Sequence, residues 1–403
     1  TKHFYTIVIL NLLIFIAKMA KHRLVLEKVL NTDSETVPKP RSGHRCATDG
    51  VFLYSFGGFN PNTYSKLFHR NIWCFHLSSK KWYNINMSTD GLGKAPTCVA
   101  SSTMVFHKGR FILFGGSGYP FGSSNSNRTF ECDPREQRWH YFSVTPEDVV
   151  PTPGYGQGVV MGLDDCMFIF GGTRGLIYNN HLHKFDLKTH QWEFIECNRP
   201  PSARYRHEMV GIEGGFIVIG GYGRDGACPL DKLPFYSYAD CSWKEVCCEQ
   251  DPDHGFPKAR RAHSCVKFKD NVYVSGGLDK ESRETIYDDI WMLNLKTFSW
   301  LKIQQTLPHP TFFHSAAVTS EGCMYIFGGV EWIAEDEGER TNNVLKMWLV
   351  VPSLETLCWE ALCETIPPDR RLDTSMLGNL CIPKYLLAGY DAQFQVGRQN
   401  DDV

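Results

Sequence analysis

The chain has 403 residues, 42% of them hydrophobic, with 42 basic against 44 acidic side chains and a formal charge of −2. That balance leaves no broad field to hold a nucleic acid or a membrane surface, and the apolar share is ample for a packed core. The 15 cysteines are odd in number and scattered, with no Cys-x-x-Cys, which argues against a zinc ribbon or a disulfide framework and for reduced thiols; the sequons at Asn86 and Asn127 are then chance matches.

Residues 1–18 open on Thr and carry an apolar run over 7–17, broken by Asn11 and flanked by Lys2 and Lys18. The run fits a signal-peptide core or an extension upstream of a start at Met19, and is short for a membrane span. The second reading is expected, because nothing later in the chain has a secreted character; residues 1–21 are then outside the fold. Residues 22–30 read as one strand, and a polar linker leads into Arg41-Ser-Gly-His44.

From there a unit of roughly 50 residues recurs. Gly-Gly doublets stand at Gly57, Gly115, Gly171, Gly220, Gly276 and Gly328, and Trp82, Trp139, Trp192, Trp243 and Trp300 follow five of them. Nine residues before each of those tryptophans lies a third-strand position: Trp73, Phe130, His183, Pro234 and Trp291. An Arg-x-x-His opening at Arg41/His44, Arg204/His207 and Arg260/His263 places His 13 residues before the first glycine of its doublet. Short alternating runs between polar turns predict four antiparallel strands per unit. Six units predict an all-β, six-bladed propeller over residues 22–351, with residues 22–30 closing blade six, which lacks a fourth strand of its own. The loops 117–127 and 331–343 are expected to be solvated excursions on one face.

Beyond Val351 the period changes. Ser353 can cap a helix on which Leu354, Cys358 and Leu362 fall at i, i+4 and i+8, with Leu357 and Ala361 widening the stripe, and Pro367-Pro368 ends it. Trp359 is spaced wrongly for a propeller tryptophan and is assigned to this segment. Residues 391–403 are polar and expected to fray.

The doublet, the late Trp and the unit length resemble the kelch repeat. The segment from Ser353 resembles the elongin C-binding box, and Ile382-Pro383-Lys-Tyr-Leu386, 19 residues after Leu362, resembles a cullin-2 box. The strings Arg41-Ser-Gly-His-Arg-Cys46, Gly118-Tyr-Pro-Phe-Gly122, Arg204-Tyr-Arg-His-Glu208, Gly322-Cys-Met-Tyr325 and Trp348-Leu-Val-Val-Pro-Ser353 are similar to those of kelch substrate receptors of cullin-2 RING ubiquitin ligases. The resemblance implies a non-enzymatic receptor, cytoplasmic and nuclear, without cofactor or metal. Its implied partners are elongin C through Leu354, Leu357, Cys358 and Leu362, elongin B, cullin-2 through Ile382, Pro383 and Leu386, and a RING-box protein. Residues 352–390 would form that adaptor segment. The receptor family takes C-terminal degrons, chain ends finishing in glycine or another small residue. The rival class is a kelch scaffold in signalling or the cytoskeleton.

A receptor for a chain end needs guanidinium groups to meet the terminal carboxylate. The slots just before the first strands carry neutral residues in most blades (Ser42, Gly43, Phe312, Phe313), but Arg206 and Arg261 in blades four and five. Tyr205 and Phe313 would wall the site, and Arg224 could reach the same face. Arg204 and Arg260 read equally well as parts of the repeat. The His residues at repeat-equivalent positions, including His314, argue for structural hydrogen bonds and against a single copper centre.

Overall fold

An uninterrupted apolar run in the second strand of each unit decides the architecture. Phe52–Phe59, Cys166–Phe170, Gly215–Ile219 and Cys323–Phe327 are buried almost throughout, because each lies in a sheet covered on both faces by neighbouring sheets. Outer strands alternate instead: Gln191–Ile195 and Ser299–Thr306 bury their tryptophans and expose the residues beside them. In the computed structural model, residues 24–31, 36–62, 68–89, 95–144, 149–279, 285–334 and 337–365 are described. They form six sheets with at least four antiparallel strands each, arranged as the blades of a kelch β-propeller, and one C-terminal helix, Leu354–Thr365. Among the described residues no helix is long and apolar enough to cross a membrane. Residues 1–23 and 366–403, with the expectations placed on them (the start at Met19, the box at Ile382, Pro383 and Leu386), lie outside the described part.

Blades are numbered here by their innermost strands: Ser42–Thr48, Thr103–His107, Gly158–Met161, Glu208–Ile212, Ser264–Phe268 and Ser315–Val318. Blade six is completed by chain from the other end of the sequence. Leu26–Val29 runs antiparallel to Val344–Trp348, with Leu26 opposite Met347 and Val29 opposite Val344. Leu24 and Leu26 pack into the core shared by blades five and six, and Val29 into that shared by six and one. Blade two carries a fifth strand, Ser88–Thr89, parallel to Arg138–Phe142.

Each tryptophan reaches across to the blade before its own. Trp82 packs on Phe327, Trp139 on Phe56, Trp192 on Phe114 and Trp243 on Phe170, with centroids 4.9–5.1 Å apart; Trp300 Nε1 donates to the Leu230 carbonyl at 2.9 Å. The glycine doublets serve the same interface. At Gly220 (φ 61°) a Cβ would lie 2.5 Å from the Arg260 carbonyl oxygen and 2.7 Å from a ring carbon of His263, so only glycine lets blade five approach. The second glycine of every doublet donates its N–H to a carbonyl of the following blade, as Gly221 does to Arg260 at 2.9 Å and Gly329 to Arg41 at 2.9 Å.

Candidate functional site

The centre of one propeller face is built by a closed belt of backbone. At or just before the start of each innermost strand one residue has a left-handed conformation: Gly43, Ser101, Gly156, Arg206, Ala262 and Phe313, with φ between 54° and 68°. Each N–H donates to the carbonyl of the equivalent residue one blade back. The bonds run Ser101 to Gly43, Gly156 to Ser101, Arg206 to Gly156, Ala262 to Arg206, Phe313 to Ala262 and Gly43 to Phe313, at 2.8–3.1 Å. For the non-glycine members that conformation costs roughly 1–2 kcal/mol each, which the surrounding hydrogen bonds hold in place. The belt fixes which side chains face the axis. Two positions offer none, Ala262 a methyl and Ser101 a hydroxyl, so Arg206 and Phe313 dominate.

Above the belt lies a cavity of about 220 Å³. Arg206 and Phe313 line it from the belt, Tyr155, Tyr205 and Arg261 from the residues just before it, Phe59 and Arg340 from strand ends, and Phe121 from a longer loop. The guanidinium of Arg206 lies 4.2 Å from the centre of the Phe313 ring and donates to Ser101 Oγ. Arg261 donates to Tyr205 Oη at 2.6 Å and stacks 4.4 Å over Tyr222. Arg340 donates through Nε to Ser42 Oγ at 3.0 Å and to the Phe59 carbonyl at 3.2 Å. Three guanidinium groups thus line one small cavity, and among the described residues no carboxylate lines it. Burial lowers Arg206 to about 10, with Arg45 adding to the effect, so it remains charged at neutral pH yet poorly solvated. Burial also lowers Arg340. An anion entering here meets cations that have already lost much of their water.

Below the belt an ion pair bridges the axis. Arg45 of blade one and Glu208 of blade four, on opposite sides of the ring, form an ion pair at 2.7 Å, and Arg45 Nε also reaches the Ser102 carbonyl at 3.4 Å. The Glu208 carboxylate, below the arginine cluster, is therefore already occupied.

Four of the five residues expected at the site, Tyr205, Arg206, Arg261 and Phe313, meet in this cavity. Arg206 and Arg261 are not equivalent in the repeat, however. Arg206 is a belt residue, whereas Arg261 precedes the belt and corresponds to Tyr205. Arg224, expected to reach the same face, does not line this cavity. It is exposed at the tip of a hairpin, Tyr222–Gly223 with Gly226–Ala227, and lines a separate depression between blades three and four. The expectation of plain solvated loops also fails. Residues 331–343 hold most of a hairpin, Val330–Ala334 with Glu337–Arg340, in which Glu331 is buried against Asn343, and the hairpin delivers Arg340 to the cavity. Loop 117–127 delivers Phe121, which packs on Tyr155 at 5.0 Å and Phe59 at 6.0 Å. Ser101 was missed because blades two and three lack the Arg-x-x-His opening. Counting 13 or 14 residues back from their doublets reaches Ser102 and Gln157, the counterparts of His44, and so the belt residue beside each.

Arg41, Arg204 and Arg260 are buried parts of the repeat. Each donates to a carbonyl two residues earlier and to the first glycine of its own doublet, Arg260 at 2.9 and 3.0 Å. His44 bonds the Phe327 carbonyl at 3.0 Å, His207 accepts from the Gly158 N–H at 3.2 Å, and His314 bonds Ser275 Oγ at 3.0 Å, each joining its blade to the one before.

At the other end of the chain Ser353 caps the helix, its Oγ accepting from the Thr356 N–H at 3.1 Å. Trp359 is buried and donates to Ser78 Oγ at 3.2 Å, and Glu360 pairs with Lys346, so the helix is pinned to blades one and six. Leu354 is 57% exposed, while Cys358 and Leu362 are half-buried. Leu357 is buried, which removes it from the surface offered to a partner.

Comparison with known proteins agrees with the propeller. The family described as the KLHDC2/KLHL20/DRC7 Kelch-repeats domain matches residues 26–221 and 207–389. Kelch domain-containing protein 10 of Homo sapiens is 39% identical over 363 residues, covering 87% of this chain and 79% of the relative. The Drosophila melanogaster homolog is 33% identical over 84% of this chain and 64% of its own length, and kelch domain-containing protein 2 of Bos taurus is 24% identical over 89% and 91%. With its six blades, its buried repeat arginines and this extent of identity, the chain belongs to the kelch domain-containing protein 10 family.

Proposed function

We propose that this protein is the substrate-recognition subunit of a cullin-2–elongin B/C RING ubiquitin ligase and that its axial cavity takes the C-terminal end of substrate chains. The observation that carries the reading is the meeting of Arg206, Arg261 and Arg340 in one cavity with no carboxylate among its described lining residues. Internal peptide is neutral along its backbone, whereas a chain end brings a carboxylate that accepts paired hydrogen bonds from guanidinium. Phe313, Tyr205, Tyr155 and Phe121 leave little room beside that charge, which favours glycine or another small last residue. The belt and the Arg45–Glu208 pair stop a chain from threading through the axis. On this reading the chain has no catalytic residue of its own. A RING-box protein and its conjugating enzyme would supply ubiquitin transfer, while Leu354, Cys358 and Leu362 would meet elongin C.

The test uses a peptide ending in glycine, its C-terminal amide, and the same peptide with one residue added, titrated against the full chain by fluorescence polarisation. The acid should bind, the other two should bind far more weakly, and Arg206→Ala and Arg261→Ala should erase the difference. Equal affinity for acid and amide overturns the chain-end reading. Failure of elongin C to co-purify with the chain would leave a scaffold without ligase partners.

A further inference from the structure

Beside the axial cavity a second depression, about 730 Å³, lies between the loops of blades three and four. Its walls are two short hairpins, Thr173–Arg174 with Ile177–Tyr178 and Tyr222–Gly223 with Gly226–Ala227. The tip of the second carries the polar pair Arg224 and Asp225, as a solvated turn ordinarily does. The tip of the first carries Leu176 and Ile177, 88% and 72% exposed. Two adjacent large apolar side chains standing in water on the face that holds the axial cavity mark a surface that something covers.

The two hollows share an aromatic sill. Tyr178, in the depression, stacks on Tyr205, in the axial cavity, with centroids 5.3 Å apart and planes 21° from parallel. Tyr222 meets Tyr178 edge-on and lies under the Arg261 guanidinium. A polypeptide whose last carboxylate sits among the arginines can leave across this sill, and the depression is the next concave surface along that path. The sill is one stacked pair wide, Tyr178 and Tyr205 with centroids 5.3 Å apart, so a few extended residues at roughly 3.3–3.6 Å each cross it.

We infer that the depression between blades three and four is a second subsite for the same substrate chain, in which Leu176 and Ile177 cover an apolar side chain a few residues before the chain end. This rests on the chain-end reading of the axial cavity. It assigns specificity upstream of the terminal residue: an apolar side chain one sill away from a small final residue. The occupant is a segment of substrate, extended and carrying one exposed hydrophobic residue.

The experiment uses the full chain and a set of decapeptides ending in glycine on a serine background, with a single leucine placed third, fourth, fifth or sixth from the end. At one of these positions leucine should tighten binding roughly tenfold. Leu176→Ser/Ile177→Ser should remove that gain and leave the all-serine peptide unchanged. Both residues are exposed, so the double variant should melt with the wild type. Arg206→Ala should weaken every peptide. The proposal is overturned if leucine gains nothing at any position, or if its gain survives in the double variant, which would place the upstream segment over the opposite rim near Phe121. If amidated peptides bind as well as acids, the chain-end reading falls and the subsite with it; if acids are preferred but leucine makes no difference, the subsite alone falls.

Discussion

Two sets of arginines, near neighbours in sequence at Arg204/Arg206 and Arg260/Arg261, separate the wall between blades from the floor of the axial cavity. Arg41, Arg204 and Arg260 donate to the backbone of their own blade in the same pattern each time. Arg206, Arg261 and Arg340 touch mainly side chains, each in a different way, and all face one cavity. What recurs around the ring maintains the ring. What interrupts the recurrence is available for binding. The same contrast holds for histidine against phenylalanine: His44, His207 and His314 join blades, whereas Phe313 occupies a belt position that is glycine in blades one and three.

The largest effect that tests this division is acid. Burial holds His207 at about 3 and His314 at about 4, and holds His44 and His263 well below the ordinary histidine value, with Arg41, Arg204 and Arg260 adding to the depression at His44, His207 and His263 respectively. These rings stay neutral in the fold. Above pH 6.5 they are neutral in the unfolded chain too, and stability does not depend on them. Between pH 6.5 and about 4 the unfolded chain takes up protons that the fold refuses, so stability falls as pH falls, by about 1 kcal/mol per pH unit for each ring. Thermal melts from pH 7.5 to 4.5 should show a steep loss beginning near 6.5. A flat profile across that window would mean that the inter-blade histidines are not held neutral.

Next in size is the exchange of one arginine from each set. Arg260 has no exposed side-chain surface and makes a paired contact with Asp289, at 2.6 and 3.1 Å. Burial alone would raise the Asp289 carboxyl, but the Arg260 bonds pull it below its usual value. Arg260→Ala strands that carboxylate and should cost about 3–5 kcal/mol of stability. Arg206→Ala should cost no more than about 1 kcal/mol of stability while weakening the glycine-ended peptide by about 2–5 kcal/mol. Melting and peptide titration on both variants check the pair. Comparable destabilisation by both would erase the distinction between wall and floor.

The propeller was legible because its evidence is redundant. Six doublets and five tryptophans at fixed spacing each repeat the same packing demand, and the left-handed glycines and cross-blade rings satisfy it. The site was half legible. Tyr205, Arg206, Arg261 and Phe313 could be counted from the repeat, since the belt positions each of them. Phe121 and Arg340 could not, because their loops follow no period, and Arg340 arrives only through hairpin pairing with Val330. Arg224 looked like a neighbour by its distance from the doublet, but a two-strand hairpin turns it out of the axis. In the tail the apolar stripe gave a helix without saying which part of it docks. Trp359 and Glu360 decide that by their contacts with Ser78 and Lys346.

The helix offers a third and smaller separation. Leu354→Ala removes an exposed side chain, so it should leave the melting temperature unchanged and weaken elongin C capture by about 2 kcal/mol. Leu357→Ala removes a buried one and should destabilise the docked helix. Calorimetric titration with elongin B/C, beside melts of both variants, separates the roles. Loss of elongin binding in Leu357→Ala with none in Leu354→Ala would reverse the faces.

The smallest effect should come from Arg340. Its Nε is already committed to Ser42 Oγ and the Phe59 carbonyl, and its guanidinium lies 5.4 Å from the Phe59 ring centre. With the Nε side of its fork taken, we expect it to act on an anion in the cavity chiefly through its charge and less through paired bonds than Arg206. Arg340→Ala should weaken the glycine-ended peptide by about 1 kcal/mol at low salt. Mobile ions screen a distant charge through the open mouth of the cavity but penetrate poorly to a direct contact. Raising the salt towards 1 M, where the screening length is about 3 Å, should then shrink the Arg340→Ala defect and leave most of the Arg206→Ala defect intact. Equal and salt-insensitive losses in the two variants would make Arg340 a direct ligand of the chain end and move the floor of the site towards blade six.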